Sequence, residues 1–164
     1  SWTVSIMAIL LKEYANFKVD IGKVLFMLLI HDIVEVDAGD TFLYSDERKN
    51  AHFNEQRAAE RIFGILEPDQ KKMFIDTWKE YEEGKTNEAK FALVFDRLQP
   101  ITQNYVCKGI TWKKHNVTYE QVVEENKCIK EGSEEIWSFV EYILQKSVEK
   151  GYLAKNQPPR EGGK

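Results

Sequence analysis

The stretch "LLIHDIVEVDAGD", Leu28–Asp40, decides how the rest of the chain is read. It closes an apolar run, Val24–Ile30, and then sets His31, Asp32, Glu35, Asp37 and Asp40 within one short reach. Apolar sequence of this kind goes to a core, and charged side chains enter cores only with partners. On a helix each residue advances by about 100°, so with His31 at zero Asp32 falls near ~100° and Glu35 near ~40°. The three share one sector. Gly39 breaks the helix, and Asp40 beyond it can turn back over that sector. A second segment repeats the oddity: "FALVFDRL", Phe91–Leu98, carries Asp96 inside an apolar run. Two helices that are apolar on most faces pack centrally, and each brings an acid.

An isolated buried carboxylate is costly and tends to neutralise itself. Two arrangements remove the cost. One is an ion pair with Arg97, Arg57 or Lys90; the other is a bound metal, which accepts imidazole and carboxylate together. A buried pair brings no clear stability gain over apolar packing. A lone histidine on an apolar face is more often a satisfied core residue, but the adjacent Asp32, the neighbouring Glu35 and the second acid-bearing helix favour the metal. Neither remaining histidine is an obvious ligand. His52 lies on a polar helix and reads as solvated, and His115, near Trp112, reads as a plain loop residue.

Working outward, the spacing of Ile6, Ile9, Leu10 and Tyr14 predicts a first amphipathic helix. Asp20 caps a second, expected to run to about Val36. Ser45 or Asp46 caps a long polar third through Leu66, and Pro68 suits the first turn of a fourth that Gly84 ends. A fifth begins at Thr86 or Asn87, with Pro100 expected to kink or break it. "KGITWKKHNVT" reads as loop. Thr118 with Gln121 forms a capping box for "YEQVVEENKCIK", and Ser133 starts a last helix ending near Gly151. Residues 1–153 are expected to form one domain, and 154–164 a disordered tail. No alternating strand pattern and no repeat is present. The fold class is therefore all-α, a compact bundle of six or seven helices.

The chain has 164 residues, 43% of them hydrophobic, enough for one domain with a proper core. Its net charge of −4 gives no broad electrostatic footprint for DNA or RNA. Cys107 and Cys128 form no CxxC pattern and read as reduced thiols of a cytoplasmic protein. No signal peptide is visible, and the run Val24–Ile30 is far shorter than the ~20 residues a membrane span needs.

The combination of these motifs resembles the HD-domain metal-dependent phosphohydrolases. The His31-Asp32 dipeptide alone is weak. More specific are Glu35, four residues after the histidine, the Gly39-Asp40 pair, and "TWKEYEEGKTNEAKFALVFDRL" with its Glu88-Ala89-Lys90 triplet and closing Asp96. "DRLQPITQNY" and "GITWKKHNVTYEQV" are similar to a branch of small bacterial HD hydrolases whose nearest characterised relatives are 5'-deoxynucleotidases. The resemblance extends from Ser1 to about Leu153.

It implies an HD-type helical fold and one divalent metal ion held by His31, Asp32 and Asp96, with Mn, Co, Fe, Mg and Zn not distinguished. The family's first histidine stands just before a Ser-Trp-like dipeptide, so that ligand is expected immediately ahead of Ser1. The implied reaction is attack of water on a phosphomonoester, with a nucleoside monophosphate as substrate and a homodimer as the assembly. Glu35 would position or deprotonate the water and Asp40 protonate the leaving alkoxide or orient the site; these roles are exchangeable. Glu35 could instead orient His31, and Asp40 could cap the following turn. Arg97, Trp112 and His115 are candidates for contact with phosphate or base. Two other functions stay open: an HD hydrolase of a nucleoside triphosphate or sugar phosphate, and a non-catalytic helical interaction module with a relict site.

Overall fold

Helices account for the fold, and the sequence supplies a start signal for five of the longer ones, at Asp20, Pro68, Thr86, Thr118 and Ser133. A computed structural model describes residues 1–39, 44 and 48–155, and side chains within those ranges except for residues 48–52. Ten α-helical segments follow in order: α1 (Trp2–Leu10), α2 (Ile21–Ile30), α3 (Glu35–Ala38), α4 (Arg48–Phe63), α5 (Pro68–Glu83), α6 (Asn87–Val106), α7 (Ile110–Lys114), α8 (Tyr119–Asn126), α9 (Ile129–Gly132) and α10 (Glu134–Glu149). Seven of these have eight residues or more, which is the all-α bundle expected. Among the described residues no strand forms, only an isolated parallel bridge between Thr118 and Ala154. No helix there is long and apolar enough to cross a membrane.

The caps act as their chemistry requires. The Asp20 carboxylate accepts from the N–H groups of Gly22 and Lys23 at 2.9 and 3.4 Å. Thr86 accepts from Ala89 N–H, and Ser133 from Ile136 N–H. Thr118 and Gln121 form the reciprocal capping box. Pro68 sits in the first turn of α5, and Gly84 ends that helix at φ +62°, a conformation that favours glycine.

Five expectations need correction. Helix α1 stops at Leu10, so Tyr14 falls in a separate 3-10 turn, Lys12–Tyr14. Helix α2 stops at Ile30; a second 3-10 turn, His31–Val34, then leads into α3. Pro100 does not break α6, which continues to Val106. Proline lacks an N–H, so the carbonyl it leaves without an intrahelical donor, four residues back, is that of Asp96. The "KGITWKKHNVT" segment is a loop around the short helix α7, and "YEQVVEENKCIK" divides into α8 and α9. The caps Ser45 and Asp46, the side chain of His52, and the tail from residue 156 lie outside the described residues.

Helix α6 is the central element and packs against α1, α2, α5, α9 and α10. It buries Ala89, Phe91, Ala92, Val94, Phe95, Leu98 and Ile101. Two hydrophobic clusters result. The larger joins Val24, Met27 and Leu28 of α2 to α6, Trp112, Val122 and α10. The smaller joins Ile30 and Val34 to Ala58, Ala59 and Phe63 of α4 and to Ile75 and Trp78 of α5. The chain therefore crosses from one core to the other between Leu28 and Ile30, and His31 follows at the seam.

Helix α9 lies against α6 closely enough to exclude a side chain at Gly132. A β-carbon there would stand 2.5 Å from Val94 Cγ2 and 2.6 Å from the Lys90 carbonyl oxygen. Overpacking of this kind costs about 1–3 kcal/mol. Gly132→Ala should lower the thermal unfolding midpoint by roughly 2–12 °C, since about 1 kcal/mol shifts a domain of this size by ~2–4 °C. An unchanged midpoint in calorimetry would refute the close approach.

Candidate metal centre

His31 is delivered by the 3-10 turn directly after α2, and Asp96 by the middle of α6. The ring of His31 is oriented from behind. Its Nδ1 lies 3.0 Å from the Leu28 carbonyl oxygen. A carbonyl only accepts, so Nδ1 carries a hydrogen and donates it. The opposite nitrogen, Nε2, then faces Asp32 Oδ1 at 2.8 Å and Asp96 Oδ1 at 3.4 Å. Ligand-type atoms of His31, Asp32 and Asp96 all fall within 4.8 Å of one another, and no other residues form such a group among those described.

The surroundings are mixed in polarity. The buried Tyr81 ring stands 5.0 Å from the imidazole, and its hydroxyl hydrogen-bonds to Asp96. Arg97 Nε lies 3.6 Å from Asp96 Oδ2. At the open edge, Ser1 Oγ donates to Asp32 Oδ2 at 3.3 Å. Burial alone would lower the His31 pKa, but hydrogen bonds to Asp32 and Asp96 outweigh it and raise it from 6.5 to about 9. Burial would likewise raise the Asp96 carboxyl; the His31 hydrogen bond and the Arg97 charge hold it below its ordinary value instead. Burial pushes the Tyr81 phenol well up.

Two carboxylates aimed at one imidazole nitrogen are stable in either of two states. A proton sits on Nε2, or a cation takes its place and binds all three groups. One imidazole and two carboxylates suit Mn, Fe, Co or Zn, and the hydrogen bond from Nδ1 is the kind that fixes a metal-binding histidine's tautomer. The residues present fit a divalent ion.

Glu35 opens α3 directly after the 3-10 turn and is half-buried. A 3-10 turn advances about 120° per residue, more than an α-helix. This carries Glu35 further round from His31 than helical spacing placed it, and it stands outside the three-residue group. Asp40 lies outside the described residues. Asp37, at the far end of α3, forms an ion pair with Arg61 of α4, with Asp37 Oδ1 2.6 Å from Arg61 Nη2. Of the three cations offered as partners for the buried acids, only Arg97 reaches one. Lys90 pairs with Glu131 at 3.3 Å, and Arg57 lies over the Phe53 ring. Trp112 is 2% exposed, so its ring face is closed to a base. His115 is exposed at the end of α7. Sequence reasoning missed Tyr81; its one signal is the spacing of Phe74, Trp78 and Tyr81 along the buried side of α5, with only the last carrying a hydroxyl.

A family model for the HD domain matches residues 1–137. A crystal structure of a predicted metal-dependent phosphohydrolase from Magnetospirillum magnetotacticum MS-1 superposes with a TM-score of 0.90 at 44% identity, covering 93% of this chain and 77% of that one. The 5'-deoxynucleotidase HDDC2 of Dictyostelium discoideum is 34% identical over 89 residues, 54% of this chain and 47% of that protein. Human 5'-deoxynucleotidase HDDC2 is 27% identical over 103 residues, 62% and 49% of the two chains. The chain spans about half the length of these curated relatives.

The raised His31 pKa fixes a sign. A group bound more tightly to its proton in the folded chain stabilises the fold below its unfolded pKa and loses that contribution as pH rises through the folded one. In metal-stripped protein the stability should therefore fall between pH 6.5 and about 9, by on the order of 3 kcal/mol. Urea titrations across that range should show the fall, and His31→Gln should abolish it. A flat profile would contradict the geometry around Nε2.

Proposed function

This chain belongs to the HD-domain family, and on that premise we propose that it is a metal-dependent phosphohydrolase that removes phosphate from nucleoside monophosphates, deoxynucleotides foremost. The observation that carries this reading is the orientation of His31. Its Nε2 is turned between Asp32 and Asp96 by the bond from Nδ1 to Leu28. The names carried by both kinds of relative support it.

His31, Asp32 and Asp96 would hold one divalent ion. A fourth ligand just ahead of Ser1 would stand at the same edge, since Ser1 Oγ is 3.3 Å from Asp32 Oδ2. When bound, such an ion offsets negative charge on phosphate and acidifies water. The chain's own residues do the rest. Leu28 and Tyr81 hold His31 and Asp96 in place. Glu35 takes a proton from the attacking water as its oxygen bonds to phosphorus, and Asp40 returns a proton to the alcohol oxygen as the ester P–O bond breaks. Products are inorganic phosphate and the nucleoside. Phosphoryl transfer of this kind depends mostly on positioning and charge stabilisation.

The same reading takes residues 1–153 as one working domain in the cytoplasm, supported by free Cys107 and Cys128. It takes the assembly as a homodimer, supported by the exposed apolar side chains Trp2, Ile9 and Leu10 of α1.

The test is phosphate release from a panel of nucleoside monophosphates, using chain with its encoded N-terminus, stripped and resupplied with Mn, Co, Mg or Zn. Metal-dependent release that vanishes in Asp96→Ala is expected. Glu35→Gln should lower kcat by about 10²–10⁴-fold while the metal stays bound. No release from any monophosphate with one ion bound per chain would rule out the nucleotidase and leave another phosphorylated substrate. A chain that binds no metal would be a relict site.

A further inference from the structure

Each carboxylate of the cluster divides its two oxygens between two neighbours. Asp32 turns Oδ1 to His31 Nε2 at 2.8 Å, and its Oδ2 accepts from Ser1 Oγ at 3.3 Å. Asp96 turns Oδ1 to the same nitrogen at 3.4 Å, and its Oδ2 lies 3.6 Å from Arg97 Nε. The two inner oxygens therefore converge on Nε2, and the two outer ones are engaged elsewhere.

The hold on Asp96 differs from the hold on Asp32. Ser1 is exposed and its hydroxyl is neutral, whereas the Arg97 side chain is charged and only 17% exposed. Successive residues on a helix do not face each other, so adjacency on α6 does not by itself bring Arg97 to Asp96; the side chain has to turn back to reach it. Arg97 Nε is buried and donates no hydrogen bond, so charge is what joins it to Oδ2. Charged side chains enter an interior only with partners, and the acid that Arg97 meets is Asp96.

A carboxylate binds a cation through one oxygen or through two. The choice decides how many positions remain for water and substrate, and a catalytic metal site must keep some open. Resting on the metal-dependent reading of this site, we propose that Arg97 is a positioning residue for the ion. Its charge retains Asp96 Oδ2, so Asp96 offers a bound ion Oδ1 alone and one more position stays open for substrate. The role requires no contact between Arg97 and either ion or substrate.

Manganese loaded into the chain with its encoded N-terminus gives a readout independent of activity. Water-proton relaxation counts the exchangeable waters on the ion, and paramagnetic resonance of free manganese gives its Kd. With one oxygen from each aspartate, His31 Nε2 and a ligand ahead of Ser1, an octahedral ion keeps about two waters. In Arg97→Met the released Oδ2 turns inward, so the count should fall by about one while the manganese Kd does not rise. The kcat of that variant should drop by about tenfold or more. Arg97→Lys should restore the lost water, because the contact is one of charge. A merely structural Arg97 predicts the opposite pair, weaker manganese binding with an unchanged water count, and that result would overturn the proposal. Should Arg97→Met fail to fold, Arg97→Gln removes the same charge, and a wild-type count of one or none would overturn the proposal without any variant. The expected counts without hydrolysis of any monophosphate would sink the nucleotidase and leave the role of Arg97 standing; a chain that binds no manganese would sink both.

Discussion

Everything at the centre of this molecule follows from one constraint on His31. Its Nδ1 is committed to the Leu28 carbonyl, so Nε2 must meet whatever stands on the other side. What stands there is two carboxylates, one from the next residue and one from a different helix. A neutral imidazole would present a lone pair to two anions. The site is at rest only with a proton or a metal ion on that nitrogen, and the two carboxylates push its pKa up against the effect of burial.

The fold serves this constraint by dividing its core. Had α2 buried one continuous stripe, His31 would have been another core position. Instead Met27 and Leu28 belong to one cluster and Ile30 and Val34 to another. The polar stretch emerges where neither cluster closes over it. Helix α5 follows the same division, with Trp78 in the smaller cluster and Tyr81 in the larger. That places the Tyr81 hydroxyl against Asp96. Helix α6 contributes its buried side chains to the larger cluster and is fixed from behind by α9, through the contact at Gly132 that admits no side chain.

Much of this was legible in the sequence because it rests on local chemistry. Asp20, Pro68, Gly84, Thr118 and Ser133 mark helix ends through hydrogen bonds or backbone angles that reach only a few residues. The meeting of His31, Asp32 and Asp96 was legible for another reason: charged groups in apolar runs must find partners. What was not legible depends on winding and on distant packing. Whether the residues after Ile30 wind as an α-helix or a 3-10 turn changes where Glu35 points, and spacing alone cannot choose. Asn126 and Tyr44 meet across 82 positions, and nothing in either neighbourhood announces the contact. Pro100 was read as a kink or break because its missing N–H is a local cost, while the packing of Leu98 and Ile101 that carries α6 past it without a break is not local.

The central claim is that the three converging side chains hold a metal ion. The most direct test is a crystal grown with manganese, with anomalous scattering recorded at the manganese edge. The account predicts one peak per chain, in contact with His31 Nε2 and with the carboxylates of Asp32 and Asp96. No peak, or one that leaves His31 Nε2 still bonded to the two carboxylates, would contradict it and make the group a buried salt bridge.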